Sequence, residues 1–333
     1  MANAGLWSLR LDLFRSRAGV GAVAHADPVV TIVGNHNWRW SAEQDWCDGF
    51  RLNGWQVIEV SERDSTTAEL VRAAKRSDLL LWVSSSDRHS QDVMKRLGEH
   101  TTTVAWHADL YWGLSRPGWQ SNVMWAAQFV FTADGNERDW SEVGVDRHNW
   151  LLPGVRDRWV VQPGRVREAL KCDVAFVGSG GGGYHKQWPY RSELIEQLQA
   201  MCERNGWRFM NPGGTHRKID RGQRMTDFYR SAKVTVGDSL CLNGEQSRYW
   251  SDRVYEASGR GGVLVMPEIV ALQEQFVEMP CYRWGDWQHL EGVVAGLLSD
   301  VGERERVRLA CREVTAGEHT YSCRVRELLG VVL

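Results

Sequence analysis

The 333-residue chain has no C-x-x-C pair, and its seven cysteines are scattered and odd in number. That disfavours a disulfide framework or a zinc ribbon; reduced thiols in a cytoplasmic protein are expected. Nowhere does the chain hold the roughly 20 successive apolar residues of a membrane helix. Residues 1–25 interrupt Leu, Trp and Phe with Arg10, Arg15 and Arg17, so they lack the apolar centre of a signal peptide and read as an amphipathic helix. Charge of one sign is missing too. The formal net charge is -2, which makes no case for wrapping nucleic acid and leaves only a local basic groove open. There is no internal repeat or low-complexity tract. Without a G-x-S-x-G elbow or a Walker loop, hydrolase and NTPase readings lack their motif. No histidine or carboxylate pair has ligand spacing on a helix or hairpin, so no metal is expected.

Tryptophan is plentiful, at 18 residues. Most of these belong in a core; a surplus in a cleft protein can stack on sugar rings or bases, for which Trp38, Trp40, Trp112 and Trp119 are the candidates.

Short β-branched runs alternate with helical patterns along the whole chain. Strands are expected near 29–33, 55–60, 79–83, 102–106 and 129–132, and again near 174–177, 208–210, 234–236 and 263–266. A capping pattern at Ser41 and Gln44 starts the first helix. Such alternation predicts parallel sheets covered by helices, in two doubly wound Rossmann-like α/β domains facing a cleft. The expected organisation is an N-terminal extension (1–28), an acceptor-side domain (29–152), a charged linker (153–172), a donor domain (173–301) and C-terminal helices (302–333).

The stretch from Ser247 to Pro267 carries the strongest local signal. Ser251 and Asp252 are expected to cap a short helix bearing Arg253 and Glu256 on one face, and the glycine run at 259–262 to end it before a buried strand. A helix N-terminus suits a phosphate, and Glu256 suits a sugar diol, so the place reads as a nucleotide-sugar pocket. The loop Gly178-x-Gly180-x-x-Gly183 follows a strand but lacks the acid that would mark a dinucleotide site. It reads as a phosphate-approaching loop with Lys186 or Arg191 supplying charge. In the first domain His36, His107 and Asp109 follow strands and are the candidates for a catalytic base or a hydroxyl-binding group.

Arg253-Val254-Tyr255-Glu256-Ala257-Ser258-Gly259-Arg260-Gly261-Gly262 resembles the "R-x-[FY]-E-A-x-A-C-G-G" stretch of GT-B glycosyltransferases of the spore-maturation CgeB-like type. Asp173 to Ser179 with Tyr190 to Leu194, Leu240 to Asn243, and His319 to Arg324 resemble further pieces of that family in its order. The resemblance covers about 173–329. It implies a glycosyltransferase of hexosyltransferase type, using a nucleoside-diphosphate sugar as donor substrate, with no metal or other cofactor. It also implies Glu256 on the ribose or sugar hydroxyls, Arg253 and the Ser251 and Asp252 amides on the diphosphate, and Lys186 as a basic residue beside it. The sequence departs from the pattern where the turn reads Ser258-Gly259-Arg260, and where Arg248 stands in place of a second glutamate. The acceptor is left open among protein, glycan, small molecule and modified DNA base. A GT-B-like epimerase or phosphorylase, and a non-catalytic sugar-nucleotide or glycan binder, are the alternatives.

Overall fold

The computed structural model describes residues 27–83, 88–108, 119–135, 140–162, 164–178, 190–214, 216, 218–240 and 248–333. The chain divides into two compact units, Met1–Leu152 with Tyr321–Leu333, and Pro153–Thr320.

The first unit is a six-stranded, all-parallel sheet of order β2-β1-β3-β4-β5-β6: β1 Val29–Gly34, β2 Gln56–Ser61, β3 Leu79–Trp82, β4 Thr102–His107, β5 Phe129–Thr132 and β6 His148–Trp150. Its helices are α1 Ala42–Leu52, α2 Thr67–Ala74 and α3 Gln91–Gly98. Ser41 caps α1 by accepting from the Gln44 amide, and Thr66 with Glu69 forms a reciprocal capping box on α2. Strand β6, only three residues long and polar, was not expected from the sequence, because so short a run carries no periodicity.

Tryptophan fills this core. Trp46 of α1 meets Trp106 of β4 and Tyr321 edge-on, with ring centroids 5.3 and 5.4 Å apart, and the Trp106 indole N–H donates to the Leu151 carbonyl at 2.8 Å. Trp38, by contrast, is 68% exposed.

The second unit is a five-stranded parallel sheet, order β11-β10-β9-β7-β8. In chain order come α4 Asp157–Val161, β7 Cys172–Ala175, α5 Arg191–Asn205, β8 Phe209–Met210, α6 Gln223–Ser231 and β9 Ala232–Val236. Then follow α7 Arg253–Gly259, β10 Leu264–Pro267, α8 Val270–Gln275, β11 Cys281–Tyr282, α9 Trp287–Ser299 and α10 Val301–Glu318. Gly259 is required where it stands: a Cβ there would lie 2.8 Å from Val155 Cγ1 and 3.0 Å from Thr315 Cγ2.

The two tail helices part company. Helix α10 packs on α7 within the second unit, whereas α11, Tyr321–Val332, returns to the first unit and lies against α1. The approach is close enough that a Cβ on Gly49 would sit 2.8 Å from the Tyr321 carbonyl oxygen. Val325, Leu328, Leu329 and Val332 of α11 are buried in the first unit's core. Among the described residues no helix is long and apolar enough to cross a membrane.

Candidate active site

In a parallel α/β sheet the strands' carboxyl ends gather loops on one edge, which is where such sheets hold ligands. In the second unit that edge bounds a cavity of about 510 Å³. Its wall is built from Val177 and Gly178 after β7, Pro212 to Gly214 with Lys218, Ile219 and Arg221 after β8, Met225 and Tyr229 of α6, and Asp252, Arg253 and Glu256 at the start of α7. The volume lies in the range of small-molecule and cofactor sites.

Behind this wall lies a charged stack. Asp238 follows β9, is almost fully buried, and stands between two arginines: Arg191 Nε donates to its Oδ2 at 2.6 Å, and Arg253 Nη1 donates to its Oδ1. The Phe176 ring supports both guanidiniums, 5.7 Å from Arg191 and 5.3 Å from Arg253. Burial works against the charge on Arg253, and the Asp238 carboxylate overcomes it and holds the guanidinium above its ordinary value. Arg253 Nη2 and Nε have no hydrogen-bond partner among the described residues. Gly178 makes room for them, since a Cβ there would be 3.1 Å from Nη2 and 3.0 Å from Phe176 Cε1.

Glu256, three residues on, does not pair with Arg253. Its Oε2 accepts from Arg260 Nε at 2.6 Å, while Oε1 accepts nothing among the described residues. Arg260 is itself buried, donating to Thr226 Oγ1 at 2.7 Å and to the Arg221 and Gly222 carbonyls, with its guanidinium 4.5 Å from the Trp159 ring centroid. The Tyr229 phenol, which also lines the cavity, is pushed up to about 12 by burial, so it stays an O–H donor at neutral pH.

Several expected roles change here. Ser251 and Asp252 do not cap α7: Asp252 is in a helical conformation with no side-chain bond to the helix, and its carboxylate pairs with Arg221 instead. Burial would raise the Asp252 carboxyl, and Arg221 outweighs that and lowers it. The Ser251 hydroxyl oxygen is buried with no hydrogen-bond partner among the described residues. Because α7 is only seven residues long, the positive charge on this wall comes from side chains more than from a helix dipole. Arg191 does not line the cavity; it sits buried behind Arg253, bound to Asp238. Gly180 and Lys186 lie outside the described residues.

Sequence reasoning missed Lys218, Arg221, Asp238 and Arg260. The basic run from His216 to Arg221, six residues past the strand that ends at Met210, was a usable signal for the first two. An acid two residues after the buried strand that ends at Val236 was one for the third. Arg260 stands four residues after Glu256, the spacing of a same-face helical ion pair, and that was its signal, masked by the glycine-rich turn in which it lies.

In the first unit, His36 is engaged on both nitrogens. Nε2 lies 3.0 Å from the Ile32 carbonyl, which can only accept, so Nε2 carries the proton; Nδ1 then accepts from Gln44 Nε2 at 3.2 Å. Glu59 Oε2 lies 3.4 Å from Nδ1, and Cys47 completes a group whose potential ligand atoms are within 4.8 Å of one another. The Gln44 amide and Arg51 already bind this carboxylate, and burial pushes the Cys47 thiol up, so the carboxylate is committed to a structural network and the thiol stays protonated. His107 ends β4, with its ring edge-on to Trp125 at 5.8 Å. Asp109 lies outside the described residues.

A family model described as glycosyl transferase-like matches residues 156–330, more than half of the chain. No curated protein matches by sequence. Among solved structures, an alpha-glucosyltransferase in complex with UDP and a 13-mer DNA with a central A:G mismatch superposes with a TM-score of 0.70 at 11% identity, over 92% of this chain and 100% of that one. An alpha-glucosyltransferase in complex with UDP-glucose and DNA containing an abasic site gives 0.67 at 10% identity, over 92% and 100%. Sucrose-phosphate synthase from Thermosynechococcus elongatus gives 0.56 at 10%, over 91% and 98%. What is shared at these identities is the GT-B fold.

Proposed function

The chain belongs to the glycosyl transferase-like family, and from that premise we propose that the second unit's cavity holds a nucleoside-diphosphate hexose for transfer to an acceptor hydroxyl. One observation carries this: Arg253 and Glu256, on one face of α7, present free guanidinium N–H groups and a free carboxylate oxygen to the same cavity without pairing with each other. A guanidinium edge beside a glycine suits a diphosphate, and a lone carboxylate oxygen suits a ribose or sugar hydroxyl. The leaving group is an anion, so Arg253, with Lys218 and Arg221 on the same wall, supplies the stabilisation a metal otherwise gives. We therefore read the reaction as metal-independent. UDP-glucose is the first donor to try, since the alpha-glucosyltransferases of like fold are described with UDP or UDP-glucose.

Those same structures contain DNA, which favours a hydroxylated DNA base as the acceptor to test before a protein or glycan. A base in a duplex must leave the stack to be reached, and the exposed Trp38 beside Arg39 and Trp40 is suited to stacking on it.

The test is release of nucleoside diphosphate from a panel of sugar donors, with and without hydroxymethylated DNA, and with Glu256→Ala as control. Turnover that needs Glu256 supports the reading. No consumption of any donor refutes the transferase, and turnover unchanged in Glu256→Ala moves the pocket elsewhere.

A further inference from the structure

We propose that Arg260 and Asp238 are positioning residues that keep Arg253 and Glu256 from neutralising each other. Opposite charges three apart on a helix face ordinarily attract. Here each is held by a counterion more deeply buried than itself. The side chain of Asp238 is 3% exposed against 13% for Arg253, and that of Arg260 is 1% exposed against 9% for Glu256. Both counterions are fastened from behind, Asp238 by Arg191 and Arg260 by Thr226 and the Arg221 and Gly222 carbonyls. Half of each functional group is thus consumed internally, and the other half faces the cavity: Nη2 and Nε of Arg253, and Oε1 of Glu256.

The consequence is a coupling that neither residue shows alone. Without Arg260, the Glu256 carboxylate loses its counterion, and Arg253, three residues before it on the same helix face, is placed to replace it. One substitution then removes the carboxylate from the hydroxyl-binding position and the guanidinium from the diphosphate. Neutralising Glu256 as well returns Arg253 to the phosphate.

The inference rests on reading the cavity as a nucleoside-diphosphate site. Calorimetric titration of UDP and of uridine into wild type, Arg260→Met, Glu256→Gln and the double variant tests it. The expected result is a UDP affinity reduced about tenfold or more in Arg260→Met, the scale of one charge-assisted hydrogen bond. In the double variant UDP affinity recovers most of that loss while uridine stays weak. A purely structural role for Arg260 gives no such recovery, because removing a second charge does not restore packing.

Arg260 joins several elements, so Arg260→Gln, which keeps a hydrogen-bonding amide there but carries no charge, is run in the same two backgrounds. If Arg260→Met does not fold, the glutamine pair decides. Failure of Glu256→Gln to restore UDP binding to whichever Arg260 variant folds overturns the inference alone. A wild-type protein that binds neither UDP nor any other nucleoside diphosphate overturns the cavity reading and this inference with it.

Discussion

Replacing Gly178 by alanine probes the cavity with a single methyl group. That Cβ would meet Arg253 Nη2 at 3.1 Å and Phe176 at 3.0 and 3.3 Å, closer than carbon normally sits to either group. The Phe176 ring is fully buried beneath two guanidiniums and has nowhere to go. Arg253, 13% exposed and bordering the cavity, is the side that yields. A displacement of a few tenths of an ångström keeps its bond to Asp238 but turns Nη2 away from a diphosphate. A charge-assisted hydrogen bond contributes about 1.5–3 kcal/mol. Losing about half of one lowers nucleoside-diphosphate affinity roughly four- to tenfold. A nucleoside lacking the phosphates should bind within about twofold of wild type on the same argument, because Glu256 and the apolar wall of Ile219 and Met225 are untouched. Calorimetry with UDP and uridine separates the two. Gly178→Ala binding UDP as tightly as wild type would refute the placement of Arg253 at the phosphates.

Other parts of the molecule give independent tests. Gly49→Ala drives a methyl against the Tyr321 carbonyl at 2.8 Å, and should destabilise the first unit by about 1–3 kcal/mol, read by chemical unfolding followed through tryptophan fluorescence. Ending the chain after Thr320 removes four buried aliphatic side chains from that core. At about 1.5–3 kcal/mol each this rivals a domain's whole stability, so limited proteolysis should digest the first unit and spare the second. His148, stacked on Trp140 at 4.5 Å, has its pKa lowered by burial to about 4. Its folded value lies below the unfolded one, so its contribution is present above about pH 6.5 and is lost as pH falls toward 4. The loss is up to roughly 3 kcal/mol, visible as an acid-side fall in melting temperature that His148→Gln flattens. Burial pushes the Cys172, Cys202 and Cys311 thiols up to about 12, so a thiol reagent at pH 8 should reach them only on unfolding.

The alternation of apolar runs and helical patterns made both sheets readable, because each strand of four or more residues is bounded by a turn signal. Strands β6 and β11, three and two residues long, had no pattern to read. The departure of α11 to the first unit was hidden for another reason. Its apolar face fits any core, and only tertiary packing against Gly49 and Trp46 selects one. At the site, Arg253 and Glu256 were visible as a same-face pair in a stretch that reads as a nucleotide-sugar pocket. The sequence could not show that Asp238, 15 residues before Arg253, holds that guanidinium, because a long-range counterion leaves no local spacing. Arg260, four residues after Glu256, did leave the spacing of a helical ion pair.

The central claim is that Arg253 meets the diphosphate of a donor held in the second unit. The most direct measurement is the affinity of UDP and of uridine for wild type and Arg253→Ala. The account predicts that Arg253→Ala brings UDP down to about the affinity of uridine, a loss on the order of ten- to a hundredfold, with uridine itself unchanged. Equal binding of UDP by the two proteins would contradict it.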